Sequence, residues 1–283
     1  MSATTLSLGR PARVRAIPGF GLAFGITLVW LSVIVLVPLS ALAIRPWELG
    51  VGGVWESLTD PRVLAALRLS FGAALVAAAI DLPLGLLLAW ALVRLRFPGR
   101  GLLDSMVDLP FALPTAVAGI ALTALLAPNG WLGAPLAAAF GWKVAFTPWG
   151  VVAALIFVGL PFVTRTVEPV LRDLGAEAEE AAATLGATRP QALLRVVLPA
   201  LLPALLAGFG LAFARAVGEY GSVIFIAGNM PMVSEIAPLL IVVRLEQFDY
   251  AGAAAVGLAM LLLAFPVLLA LNLLQRALRR GRV

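Results

Sequence analysis

The sequence has no cysteine and no histidine, a single lysine, and charge on only 12% of its 283 residues. Without cysteine there are no disulfides and no thiolate chemistry, and without histidine there is no imidazole base and no nitrogen ligand of the commonest zinc sites. A metal centre is therefore not expected. No paired-carboxylate arrangement stands out either, which argues against an intramembrane enzyme. The lone Lys143 sits in no G-x-x-x-x-G-K-[ST] sequence, so the chain carries no phosphate-binding loop of its own.

What is present is apolar: 62% of residues are hydrophobic, and they fall in runs rather than at amphipathic spacing. A hydrocarbon core about 30 Å thick needs about 20 residues of helix. The stretches 20–44, 144–164 and 251–274 meet this with no charge at all. Two more are long enough despite charges: 66–93, in which Asp81 alone interrupts the run from Leu69, and 196–227, which holds Arg215 and Glu219. A sixth, 102–127, is crowded at its start by Asp108, Pro110 and Pro114. The expectation is an all-α membrane protein with six transmembrane helices in one domain, 1–283. Pro83, Pro161, Pro203 and Pro266 are expected to kink their helices.

Six spans divide the connecting segments into two sets. One holds Arg10, Arg13, Arg15, Arg94, Arg96, Arg100, Arg165, Arg172, Arg189, Arg195, Arg276, Arg279, Arg280 and Arg282; the other holds Arg45, Arg62, Arg68, Lys143 and Arg244. By the positive-inside rule the first set, with both termini, is cytoplasmic. The net charge of +5 is thereby explained by topology rather than by nucleic acid. Ala41-Leu42-Ala43 resembles a peptidase site, but the run before it is too long for a signal peptide and reads as an uncleaved anchor. No internal repeat is visible, which argues against a carrier made of duplicated halves.

The longest cytoplasmic connection, 165–195, contains AEAEEAAATLGA. Ala178, Ala181, Ala182 and Leu185 share a helical stripe, Glu177, Glu179 and Glu180 lie in the first turns, and Gly186 stands where a helix would stop. Thr188-Arg189-Pro190-Gln191 has the form of a capping box that opens a second helix. A shallow alanine face fits a partner's groove, or else packs on the chain's own bundle.

Glu180-Ala181-Ala182, three residues, Gly186, nine residues, then Val196-Val197-Leu198-Pro199 resembles the EAA signature of ABC importer permeases, with valine in place of the family's isoleucine. The resemblance implies that Glu180, Ala181, Ala182, Gly186, Leu198 and Pro199 belong to a coupling loop that docks on a separate ATPase. That subunit would hold the ATP and magnesium, with no cofactor on this chain. A second resemblance is narrower: residues 214–257 are similar to the T-type membrane subunits of sulfate/thiosulfate ABC importers. It implies the type I importer permease (MetI-like) fold, a W-type second permease, two ATPase subunits, a periplasmic sulfate-binding protein and a bacterial inner membrane. Molybdate or tungstate permeases are similar through Arg215-Ala216-x-Gly218-Glu219 and remain the alternative, with an ATPase-independent channel or carrier behind them.

Arg215 and Glu219 are expected to pair, with Asp81 as a further partner. Two readings of the pair are open, a cation for a passing anion or a lock between helices. Ser222 and Asn229 join Arg215 as candidate donors along the pathway. The segment 228–250 reads as an external gate, a docking surface or an ordinary loop that turns back into the membrane.

Overall fold

A computed structural model describes residues 20–280, and among them every regular element is helical. Five helical stretches are long and apolar enough to cross a membrane: Phe20–Thr59, Pro61–Arg94, Pro148–Asp173, Arg189–Val217 and Tyr250–Ala277. The basic residues Arg10, Arg13, Arg15 and Arg282 lie outside the described residues.

Among the described residues, those from Phe20 to Ile44 form one compact unit and those from Arg45 another. The first contains α1 (Phe20–Leu31) and α2 (Val37–Ile44), joined by a π turn at Ser32–Leu36. It is apolar all round, as suits a helix in lipid. Pro38 follows that turn by two residues, and the wider turn accommodates the ring and the missing N–H donor. Arg189–Val217 repeats the device, with a π turn at Leu193–Val197 two residues before Pro199.

The second unit begins with a 3₁₀ turn at Arg45–Leu49 and α3 (Gly50–Thr59). Its centre is three helices: α4 (Pro61–Arg94), α9 (Pro148–Asp173) and α12 (Leu198–Val217), which pack on one another more extensively than any other elements. Lipid is as apolar as leucine, so close van der Waals approach, rather than exclusion from water, must hold such helices together. Small residues supply it. Ala73, Ala74, Ala77, Ala78 and Ala89 are buried on α4. A Cβ on Gly85 would lie 2.7 Å from Val163 Cβ, and one on Gly208 would lie 2.9 Å from Val163 Cα.

Asp81 lies in this interface, fully buried, with neither carboxylate oxygen hydrogen bonded among the described residues. It faces Gly159 of α9, where a Cβ would overlap Oδ2. Gly159→Ala is therefore expected to destabilise the helix packing by about 1–3 kcal/mol, as overpacking does. Asp81→Ala should restore much of it in the double variant. Thermal melting of the detergent-solubilised chain checks this, and equal melting of the two alanine-159 proteins would refute the contact.

The expected span 102–127 is not one helix but three: α5 (Arg100–Val107), α6 (Leu109–Ala112) and α7 (Thr115–Leu126). The breaks fall at Asp108 and Leu113, each near a proline, and Leu113 is extended as a pre-proline residue should be. The expected span 196–227 is also interrupted. Its helix ends at Val217, and the chain passes through Gly218 to Ser222 before α13 (Val223–Ile226). Pro83, Pro161, Pro203 and Pro266 all lie inside continuing helices. The remaining helices are α8 (Gly133–Phe140), α10 (Glu177–Thr184), α11 (Arg189–Ala192), α14 (Ala237–Glu246) and α15 (Tyr250–Arg280). A smaller core joins α4, α14 and α15 through Val63, Leu67, Leu240 and Val256.

Candidate coupling loop and translocation site

The connection from α9 to α12 has the helix, glycine turn and helix expected of it. Gly186 adopts φ +83°, a left-handed conformation that costs a side-chain-bearing residue about 1–2 kcal/mol. Its N–H donates to Ala183 O (2.9 Å), and that of Ala187 reaches back to Ala182 O (3.0 Å). These two bonds form a Schellman stop. Thr188 and Gln191 then form the capping box, Thr188 N donating to Gln191 Oε1 at 2.9 Å.

The apolar stripe divides into two columns. Ala182 is buried and Ala178 half-buried against the chain itself, whereas Ala181 is exposed and Leu185 is 89% exposed. In a helix of two turns, residues four apart form a column, so 178 and 182 pack inward while 181 and 185 stay outside. The chain's own bundle thus covers one column and leaves the other uncovered.

Arg94, at the end of α4, fixes the loop in place. It donates to Gly175 O, pairs with Glu179 at 2.9 Å and lies 5.9 Å from the centre of the Trp90 ring. Between Trp90, α10 and α11 runs a groove of about 680 Å³ lined by Ala176, Glu179, Glu180, Ala183 and Leu193. None of the tertiary contacts of Arg94 could be read from the residues around it.

A second arginine missed by sequence is Arg165 on α9. It donates to Asp108 (2.8 and 2.7 Å), Asp104 (2.7 Å) and Glu168 (2.7 Å), and Glu168 also accepts from Arg172. One cation thereby ties α5 to α9. Arg165→Gln is expected to lower the melting temperature clearly, while Asp104→Ala, which removes one half-exposed carboxylate of three, should shift it little. Comparable shifts in the two variants would show that no hub exists.

At the other end of α12, Arg215 pairs with Glu219 at 2.5 Å. Glu219 lies beyond the helix end and is almost wholly buried. Its second oxygen accepts from Ser222 N (2.9 Å) and Ser222 Oγ (2.8 Å). The carboxylate therefore holds both the last turn of α12 and the start of α13. Tight approaches surround it: a Cβ on Gly119 would overlap the Ser222 backbone, and one on Gly221 would overlap Thr115. The expectation that Asp81 joins the pair is corrected, because Asp81 is held against Gly159 instead.

Ser222 is fully buried with both donors engaged by Glu219, which leaves it no donor for an anion in this conformation. Asn229 has φ +54° and donates from Nδ2 to Ile224 O, while its Oδ1 is buried without a partner among the described residues. Arg215 retains about a third of its side-chain surface exposed. The segment after Asn229 is tied at its far end, where Glu235 takes a bidentate pair from Arg62 (2.7 and 2.7 Å) and Ala237 N donates to Ser70 Oγ (2.8 Å). Between Asn229 and Glu235, Met230, Met232 and Val233 are exposed.

Comparison with known proteins adds to this geometry. Residues 81–282 match the family described as binding-protein-dependent transport system inner membrane component. The sulfate transport system permease protein CysT of Escherichia coli (strain K12) is 49% identical over 261 residues, covering 92% of this chain and 94% of that protein. The CysT of Synechococcus elongatus is 49% identical over 249 residues, covering 88% and 89%. Among solved structures, a bacterial alginate ABC transporter in complex with an alginate pentasaccharide-bound periplasmic protein matches with TM-score 0.73 at 17% identity, over 91% of this chain and 94% of that one. The MetNI methionine ABC transporter matches at 0.53 and 19% identity, over 76% and 94%. The fold is thus that of ABC importer permeases, and the chain belongs to the family of binding-protein-dependent transport system inner membrane components.

Proposed function

We propose that the chain is the T-type membrane permease of an ATP-driven importer that carries sulfate, and thiosulfate, across a bacterial inner membrane into the cytoplasm. The observation that carries the substrate is the 49% identity, over 92% of this chain, to a sulfate transport system permease. The Arg94 end of α4 and the α10 loop then face the cytoplasm, and the loop receives a separate ATPase, with Leu185 and Ala181 as its outward column. Glu180 and Ala181 join Leu185 in the contact, Ala182 seats the helix on the chain's own bundle and Gly186 ends it, and Leu198 and Pro199 carry its movement into α12. The chain has only Lys143 and no phosphate-binding loop, so ATP and magnesium belong to that partner.

The remaining partners are a W-type permease, a second ATPase copy and a periplasmic sulfate-binding protein. A dianion is costly to desolvate in a membrane, so the path must be wetted or lined by donors. Few cations lie within the membrane spans, and selectivity therefore rests mainly on the binding protein. Arg215 is the pathway candidate with exposed surface; Ser222 and Asn229 need a conformation in which their present bonds open.

The test is reconstitution of the chain with its ATPase, second permease and binding protein in liposomes, followed by uptake of labelled sulfate with and without ATP. ATP-dependent uptake blocked by thiosulfate and not by molybdate supports the reading. Uptake that molybdate or tungstate displaces assigns the chain to that substrate class. Uptake without any ATPase overturns coupling.

A further inference from the structure

The Pro61 end of the bundle carries four described arginines on or beside α3, α4 and α14, and three of them have carboxylate partners. Arg45 lies 4.0 Å from Glu48, Arg62 pairs with Glu235, and Arg244 lies 3.8 Å from Asp249. The fourth, Arg68, is exposed and makes no ion pair or hydrogen bond among the described residues. It stands at the mouth of an apolar groove of about 250 Å³ between α4 and α9, whose walls include Leu69, Gly72, Val76, Trp149 and Val152.

Position and shape point to one kind of occupant. Arg68 is the last charge before the apolar run 69–93, which Asp81 alone interrupts, so its guanidinium lies at the edge of the hydrocarbon. Trp149 packs edge-on against Trp142, ring centres 5.7 Å apart, and both are about half exposed. Tryptophans at such a boundary mark headgroup depth. From Arg68 to Val76 is eight residues of helix, or roughly 12 Å. That is a channel for part of an extended acyl chain, running inward from the headgroup level. Its floor is open at Gly72, since nothing lies within 4 Å of where a Cβ would be.

We infer that this groove binds one anionic phospholipid, with an acyl chain laid along Gly72 and Val76 and the phosphate held by Arg68. A second permease chain fits the groove less well, because it would have to bury Arg68 and bring a carboxylate to it. The leaflet rests on the sidedness proposed above and is then the outer one; the binding itself does not.

The test uses the purified chain, and separately the assembled importer, in nanodiscs containing equal phosphatidylglycerol and phosphatidylcholine, with retained lipid measured by native mass spectrometry. One phosphatidylglycerol per chain is expected, favoured over phosphatidylcholine by about five-fold, the effect of one basic residue at an anionic surface. Arg68→Gln and Arg68→Glu should abolish the preference while Arg68→Lys keeps most of it. Gly72→Leu, which fills the groove without meeting a neighbour, should displace both lipids. Equal retention of the two lipids, or a preference that survives Arg68→Glu, overturns the inference. So does efficient disulfide linkage of two permease chains through Val76→Cys in a background that has no native cysteine. No step involves ATP or sulfate, so failure here leaves the transport reading intact, and failure of transport leaves this one.

Discussion

Gly186→Pro is expected to abolish ATP-driven uptake while leaving the membrane-embedded core folded. Proline fixes φ near −65°, whereas this position requires +83°, and it removes the N–H that donates to Ala183 O. Both bonds of the helix stop are lost, and α11 can no longer leave α10 at the observed angle. The surroundings of Gly186 are open, with nothing within 4 Å of a Cβ, so the penalty comes from backbone conformation and not from a clash. A graded series follows. Asn tolerates the left-handed region and should retain most uptake; Ala should lose part, and Val more, because branching at Cβ worsens the same strain. Uptake, ATPase co-purification and melting temperature are measured together. Falling uptake along Asn, Ala, Val and Pro at nearly constant melting temperature is the expected pattern. Wild-type uptake by the proline variant would sink the coupling role. Glu180→Lys tests the same surface through charge, since it places a cation near the N-terminus of α10, where the helix dipole disfavours it.

Why this loop was legible and other parts were not is a matter of range. Its glycine stop joins residues five or fewer apart, and its capping box joins residues three apart, so spacing alone encodes them. The apolar runs are equally local. Arg165 meets Asp104 and Asp108 across 61 and 57 residues, and Arg62 meets Glu235 across 173. Nothing in the flanking sequence marks those partners. Asp81 shows the same limit: a charge in an apolar run points to Arg215 as a partner, yet packing places it against Gly159. The breaks near Asp108 and after Val217 had local signals, Pro110 and Pro114 in one case and Gly218 and Gly221 in the other. Apolar content across both stretches concealed them, because hydropathy measures burial in lipid and not helical continuity.

Removing the carboxylate of Glu219 is expected to be the most damaging single change in the membrane core. Glu219→Ala strands Arg215 and frees two Ser222 donors at a buried site. Breaking a buried pair from one side costs about 3–5 kcal/mol, and the partial exposure of Arg215 places this case toward the lower end. The melting temperature should fall by on the order of 5–10 °C. Glu219→Gln should be milder, since an amide oxygen can still accept from Ser222, though its NH₂ then faces the guanidinium. Adding Arg215→Met to Glu219→Gln removes that conflict, and the double variant should melt above Glu219→Gln alone. This double variant also separates the two roles open for Arg215. If the arginine serves to hold α12 against α13, the refolded double variant should import sulfate at a rate within a few-fold of wild type. A variant that assembles and melts normally yet fails to transport places Arg215 on the anion's path. The geometry favours the first outcome. Arg215 already meets a carboxylate at 2.5 Å, and an anion would gain its charge only by displacing Glu219 from both Arg215 and the start of α13.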